Sequence, residues 1–239
     1  SAAHAEVAVV GDIDAVAVRE ALERHLSSWT KPEPFERIAT PLLKDSPIRM
    51  QLSTPDKQNA AMTVALALPL NDRHPDYAAF MMANHLFGSG GNSRLWNRIR
   101  EKEGLSYNVY STVQWNPIEE NSQWMAAAIF APQNRAKVEK AFKEEVNKAI
   151  EQGFTQAEFD AGKKGLLSFR RLARAQDNRL AASWASNLYV NRTFAESARV
   201  DAALEALTLD QVNSALRRYL HPDQFVMGVA GDFKEEARP

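Results

Sequence analysis

The chain has 239 residues, 45% of them hydrophobic, which is enough apolar material for one large or two modest domains with a proper core. Its 29 lysines and arginines balance 30 aspartates and glutamates, so no overall field holds it on nucleic acid or on an anionic membrane. No apolar run approaches the roughly 18 to 20 residues of a membrane helix, residues 1 to 20 lack the pattern of an export signal, and the absence of cysteine removes disulfides and thiolate chemistry while leaving the compartment open.

The chain opens as strand, turn and helix. "EVAVV" at 6–10 is apolar enough for a strand, Gly11 and Asp12 turn the chain, and Val18, Leu22, Leu26 and Trp29 fall on one stripe of the helix that follows. The far end repeats this beginning, since "VVGDI" at 9–13 matches "VAGDF" at 229–233. Glycines as far apart as Gly11 and Gly231 exceed any solenoid period, so the repeat marks duplication of a domain-sized unit. Residues 1–31 are therefore expected to be the trailing strand and helix of a preceding unit, and the natural protein to be longer than this chain.

Residues 32–47 read as an extended connector, because prolines remove backbone donors and a helix does not run through them. A second unit, 48–239, follows. "IRMQLST" and "AAMTVALALPL" alternate as strands, the second with Met62, Val64, Leu66 and Leu68 on one face. Small residues fill its other face, where a helix is expected to lie close. "HPDYAAFMMANHLF" reads as a helix with Pro75 in its first turn, ending at "GSGG"; "SRLWNRIREKE" reads as another, ending at Gly104. "SYNVYSTVQW" and "SQWMAAAIFA" pair as strands around the turn "NPIEEN". Helices are then predicted over 134–152, with Val138, Phe142, Val146 and Ile150 on the core stripe, and for about 20 residues from a capping box at Thr155 and Glu158. Two more fall near 178–190 and 209–219, the latter capped by Thr208 and Gln211, before "QFVMGVAG" closes the unit as a strand. The fold class is α+β: an antiparallel sheet with helices packed on one side.

The candidate chemistry is sparse. The histidines are His4, His25, His74, His85 and His221, no two within a helical turn of each other, so neither H-E-x-x-H nor its inverse H-x-x-E-H occurs and no metal site is expected in this chain. "GSGGNS" follows a helix rather than a strand, unlike a nucleotide loop; it is either a flexible link or a loop whose glycines let a bound chain approach. Arg170 and Arg174, one turn apart without interleaved aromatics, read as a solvated helix face rather than a nucleic-acid site. Arg100 sits in the last turn of its helix, where a cation suits the dipole, and Tyr107 opens a strand; taken alone, these residues favour capping and packing.

The segment "SRLWNRIREKEGLSYNVYS", preceded by "NHLFGSGGN", closely resembles the insulinase/pitrilysin family of zinc peptidases, the inverzincins. The resemblance extends through "VVGDID", "EQGFTQAEFDAGKKGLL" and "LDQVNSALRRYL", covering nearly the whole chain; "REKEGLSY" is its most specific part. It implies two related halves closing like a clamshell around a chamber, with zinc held by H-x-x-E-H on one of them. This chain lacks that motif, so the resemblance makes it the inactive, non-catalytic C-terminal half, binding no cofactor itself, with zinc expected on the partner half. It implies that Arg100 and Tyr107 reach the substrate carbonyl beside the zinc, and that the turn around Gly88, Gly90 and Gly91 contacts the substrate chain.

On this reading the chain alone is inert, and its partners are a peptide substrate and an active half, fused upstream or supplied as a paired subunit. Nucleic acid and membrane insertion are not expected. The alternative is a zinc-less partner or scaffold subunit, like those of processing peptidases and respiratory-complex core proteins; a third is a free-standing peptide-binding module. The resemblance to exported bacterial relatives favours the periplasm over the cytoplasm.

Overall fold

The computed structural model describes residues 2–30, 34–43 and 46–233. Its first half contains α1 (Ala15–Leu26), β1 (Arg49–Ser53), β2 (Ala60–Leu68), α2 (Tyr77–Asn84), β3 (Ser106–Gln114) and β4 (Ser122–Phe130). The second contains α3 (Arg135–Gln152), α4 (Gln156–Ala173), α5 (Asp177–Tyr189), α6 (Ala195–Ala206), α7 (Leu209–Tyr219) and β5 (Val226–Gly231). Between α2 and β3, His85–Ser89 and Trp96–Lys102 adopt the wider π-helical turn.

One sheet runs in the order β1-β5-β2-β4-β3. Alternation sets its two faces: Met62, Val64, Leu66 and Leu68 are buried, while Ala61, Thr63 and Ala67 are exposed. Register carries these faces across the sheet, with Val64 opposite Ala126 and Met227, and Thr63 opposite Ala127 and Gly228. The helix layer lies on the large-residue side, where Trp124 donates from Nε1 to Asn84 of α2 and Phe80 of α2 meets Tyr219 of α7 edge-on. The expectation of a helix on the small-residue side is not met. Each Val or Leu contributes about 1.5–3 kcal/mol when fully buried, and a face of alanines offers a helix far less.

The pairing is antiparallel except between β1 and β5, which are parallel. β1 and β2 follow each other through a short turn and point opposite ways, so a last strand inserted between them must run parallel to one. That strand is β5.

Pro41–Leu166 with Ala203–Pro239 forms one compact unit, and it contains the sheet. Ser1–Thr40 with Leu167–Ala202 forms another. These extents differ from the 1–31, 32–47 and 48–239 read from the sequence, since Leu167–Ala202 groups with the N-terminal segment. Within that smaller unit α1 is capped by Asp14, whose Oδ1 accepts from Val16 N at 2.9 Å and Ala17 N at 3.2 Å. Arg170 and Arg174 are not a solvated face: both pair with Asp201 of α6, at 2.5 and 2.6 Å. That helix is absent from the sequence reading, so its acid could not be placed. The strand expected at 6–10 does not form either. The segment has no neighbouring strand among the described residues to complete its backbone bonds.

Candidate functional site

The segment before β3 ends on Gly104, whose φ of +61° is the left-handed conformation glycine takes at low cost. Gly104 N donates to Arg100 O at 3.1 Å and Leu105 N to Ile99 O at 2.9 Å, and the chain passes directly into β3 at the edge of the sheet. The register slips between Ser106 and Asn108, leaving Tyr107 as a bulged residue. Ser106 Oγ secures the slip by accepting from Asn108 N at 3.2 Å and donating to Ile129 O at 2.6 Å.

Arg100 folds back onto this bulge. One of its terminal guanidinium nitrogens, Nη1, donates to the Tyr107 carbonyl, the guanidinium carbon lies 4.5 Å from the Trp96 ring centroid, and Nε is 3.6 Å from Glu101. The Tyr107 residue itself is 59% exposed. The two predicted residues are therefore joined, the arginine side chain to the tyrosine main chain, with the phenol directed away from the core. Beside them the open face of the sheet presents exposed Tyr110 and Thr112 of β3 and half-buried Met125, Ala127 and Ile129 of β4.

The glycines of "GSGG" differ in what surrounds them. Gly88 is buried, and a Cβ there would meet the Ser111 backbone nitrogen at 2.7 Å. A Cβ on Gly90 would meet His85 O at 2.9 Å, whereas Gly91 is exposed with nothing within 4 Å of that position. Next to Gly88, Asn84 Oδ1 accepts from Ser111 Oγ at 2.7 Å and Trp124 Nε1 at 2.9 Å, a buried node joining α2, β3 and β4. Burial pushes the His85 pKa below its ordinary value.

A zinc ion does not fit these residues. The five positions ending at His85 read Met81, Met82, Ala83, Asn84, His85, and no three His, Asp or Glu side chains converge among the described residues.

Sequence reading also misses the tie that fixes the site's supporting segment. Arg94, just before Trp96–Lys102, donates from Nε and Nη2 to Glu158 at 2.7 and 2.9 Å and from Nη2 to Gly153 O at 2.7 Å. Thr155 closes the predicted capping box on the same carboxylate. Burial pushes the Glu158 pKa up, but the bonds from Arg94 and Thr155 outweigh it and bring it to about 2. The capping box is legible in sequence; an arginine partner so distant along the chain is not. At the opposite edge of the sheet a groove of about 610 Å³ runs between α3 and β1, lined by Ile48, Phe142, Phe225 and Met227.

Comparison with known proteins gives this geometry a family. The non-peptidase homolog YmxG of Helicobacter pylori is 22% identical over 183 residues, covering 76% of this chain and 41% of YmxG. The crystal structure of a peptidase M16 inactive domain from Pseudomonas fluorescens superposes with a TM-score of 0.79 at 22% identity, over 96% of this chain and 53% of that one. The periplasmic protease PqqL of Escherichia coli gives 0.65 at 19% identity, over 92% of this chain and 24% of PqqL. Such low identities establish a shared fold, and this chain spans about half the length of the first two relatives or less. Residues 1–166 match the family described as the Peptidase M16 inactive domain. The chain belongs to that inactive-domain family of the M16 zinc peptidases.

Proposed function

We propose that this chain is the zinc-less half of an M16-type endopeptidase, with its open sheet face as one wall of a chamber and the zinc on a partner half bearing H-x-x-E-H. The observation that carries the reading is the Arg100 guanidinium held against the Tyr107 carbonyl at an edge strand, beside an uncovered sheet face, with the phenol exposed. The zinc of the partner half would supply the activated water. This chain's part is electrostatic. As an amide is attacked, negative charge grows on its oxygen, and a guanidinium and a phenol aimed there stabilise that charge more than they stabilise the neutral substrate. Stacking on Trp96 fixes the guanidinium beforehand, so little rotamer freedom is lost when substrate arrives. Of its five N–H groups the Tyr107 carbonyl occupies one. Gly91, open to its surroundings, is the glycine of the loop best suited to a passing peptide.

A periplasmic location, as for PqqL, accompanies this reading. The test is cleavage of a quenched fluorescent peptide by this chain, by the H-x-x-E-H half, and by an equimolar mixture with zinc. Hydrolysis in the mixture, reduced about 10²- to 10³-fold by Arg100→Ala, is expected. Full hydrolysis by the other half unaided refutes the reading. A second reading, a scaffold subunit of an assembly without hydrolytic activity, is favoured by the description of YmxG as a non-peptidase homolog. It predicts a stable complex that cleaves nothing.

A further inference from the structure

The sheet has two outer edges. One is β3, which carries Tyr107; the other is β1, at the opposite end of the strand order. All five residues of β1, Arg49–Ser53, are exposed. Ile48 O accepts from Met227 N at 2.8 Å and Thr54 N donates to Gly231 O at 2.9 Å, so the even-numbered residues turn their main chain toward β5. By alternation, the N–H and C=O groups of Arg49, Gln51 and Ser53 point away from the sheet, and none of them bonds to the main chain of another described residue. These are the groups that a further strand uses.

Side chains alternate with the same period. Gln51 is in register with buried Val229, which puts Arg49, Gln51 and Ser53 on the helix-covered side and Met50 and Leu52 on the open side. On the helix-covered side, beside Arg49, lies the groove of about 610 Å³ between α3 and β1. Its floor is apolar, from Phe142 and Val146 of α3 and from Phe225 and Met227 at the entry to β5. Phe225 is held there by stacking on Trp124, ring centroids 5.5 Å apart, so the floor is formed in advance. The charges on the rim are unequal. Glu139 is shared by Arg49 and by Arg135, the latter at 2.9 Å. Lys140 reaches only Glu144, at 3.9 Å with both side chains exposed, and Lys143 has no ion pair among the described residues. An apolar floor under a cationic rim, next to a row of unpaired main-chain groups, fits one kind of ligand.

We propose that the β1 edge and this groove are a docking site for an extended segment of another polypeptide, one with a large apolar side chain and a carboxylate two positions along on the same face. The segment pairs with the main chain of Arg49, Gln51 and Ser53, seats its apolar side chain against Phe142 and Phe225, and brings the carboxylate to Lys140 and Lys143. A second copy of this chain suits the site poorly. Its own β1 offers Arg49, Gln51 and Ser53 to an apolar floor and carries no acid for the lysines. The site lies at the edge away from Tyr107 and does not depend on the peptidase reading.

The probe is a fluorescein-labelled peptide with a central leucine, glutamates two positions to either side of it and threonines between, titrated into the full chain and followed by anisotropy. Saturable binding is expected, weakened about tenfold or more by Lys140→Glu with Lys143→Glu together, and equally by lysine in place of glutamate in the peptide. Amide exchange read residue by residue locates the contact. At saturation Arg49, Gln51 and Ser53 should slow about tenfold or more, while Met50 and Leu52, already bonded to β5, change little. Gln51→Pro removes an outward N–H, leaves the ladder to β5 in place, and should abolish binding at an unchanged melting temperature. Should that variant unfold, an N-methylated peptide, with the same side chains and no main-chain donors, makes the same test on the wild-type chain and should not bind. Absence of saturable binding, binding indifferent to the lysines, or unaltered exchange at Arg49, Gln51 and Ser53 overturns the proposal. So does a dimer of this chain through β1 that the peptide fails to part.

Discussion

Arg94 and Glu158 meet side-on, Nε 2.7 Å from one carboxylate oxygen and Nη2 2.9 Å from the other, and this fork ties the segment leading to Arg100 to the start of α4. Charged hydrogen bonds of this kind contribute about 1.5–3 kcal/mol each when sheltered. The Arg94 side chain is sheltered and Glu158 only partly so, which puts Arg94→Ala at about 2 kcal/mol of lost stability.

The same pair sets an acid limit. The Glu158 pKa falls from an ordinary 4.5 to about 2 on folding. A carboxyl depressed in the folded state adds stability that is complete above the unfolded value and is lost as pH falls through the folded one. Stability should therefore decline between about pH 4.5 and 2. Asp76 and Asp201 add to the decline in the same direction: burial raises both, but bonds from Tyr219 and Arg218, and from Arg170 and Arg174, lower them further. Urea midpoints from pH 7 to pH 2 test this. Glu158→Gln should lower the midpoint at pH 7 and flatten the acid decline; an unchanged curve would refute it.

Gly88 and Gly91 should separate packing from binding. Gly88→Ala drives a methyl into the Ser111 backbone on β3 and should cost about 1–3 kcal/mol by overpacking. Gly91→Ala has open space and should leave the melting temperature unchanged. If Gly91→Ala nevertheless raises KM in the reconstituted peptidase, the loop touches substrate.

Asn84 is the acceptor for two buried donors, Ser111 Oγ and Trp124 Nε1. Asn84→Leu strands both, at about 1–3 kcal/mol for each unsatisfied group. Thermal unfolding measures it, and a loss below 1 kcal/mol would mean that water or a rotated Ser111 takes over.

Arg100 and Tyr107 should part company in stability although the proposed function has them act together in turnover. Arg100→Ala removes the bond to the Tyr107 carbonyl and the stacking on Trp96, about 1–2 kcal/mol together. Tyr107→Phe removes a hydroxyl from an exposed ring and should leave unfolding unchanged while slowing peptide cleavage about 10²- to 10³-fold. Wild-type cleavage by Tyr107→Phe would remove the phenol from the proposed chemistry.

What was legible in the sequence was whatever is settled within a few residues. Gly104 as a helix stop, the Thr155/Glu158 and Thr208/Gln211 boxes, the alternation of β2 and the pairing of β3 with β4 around a turn are local, and each stands where expected. α6 escaped because Ala-rich "AESARVDAALEA" has little contrast between its faces; its signal is Val200 and Leu204, four apart and both buried. The parallel β1–β5 pair depends on which gap in the sheet the last strand enters, a choice that alternation does not encode. At the site, the motif marks Arg100 and Tyr107, but their contact, a side chain on a main-chain carbonyl across a bulge, depends on the register of β3 against β4 and has no local signature.

If the open face of the sheet is the proposed chamber wall, its surface has a consequence for selectivity. Ala61, Thr63, Ala65, Ala67, Ala127 and Gly228 form a shallow floor broken only by Val226, Met125 and Ile129, so a chain lying there would meet apolar groups and few polar ones that tell one side chain from another. Shallow apolar contact separates neighbouring shapes by only about 1–3 kcal/mol per methylene. Any preference for particular residues would then come from Met125 and Ile129 and from the margins, where Met50, Leu52, Tyr107 and Tyr110 are exposed, and a residue swap at the margins would redraw what is accepted without touching the core.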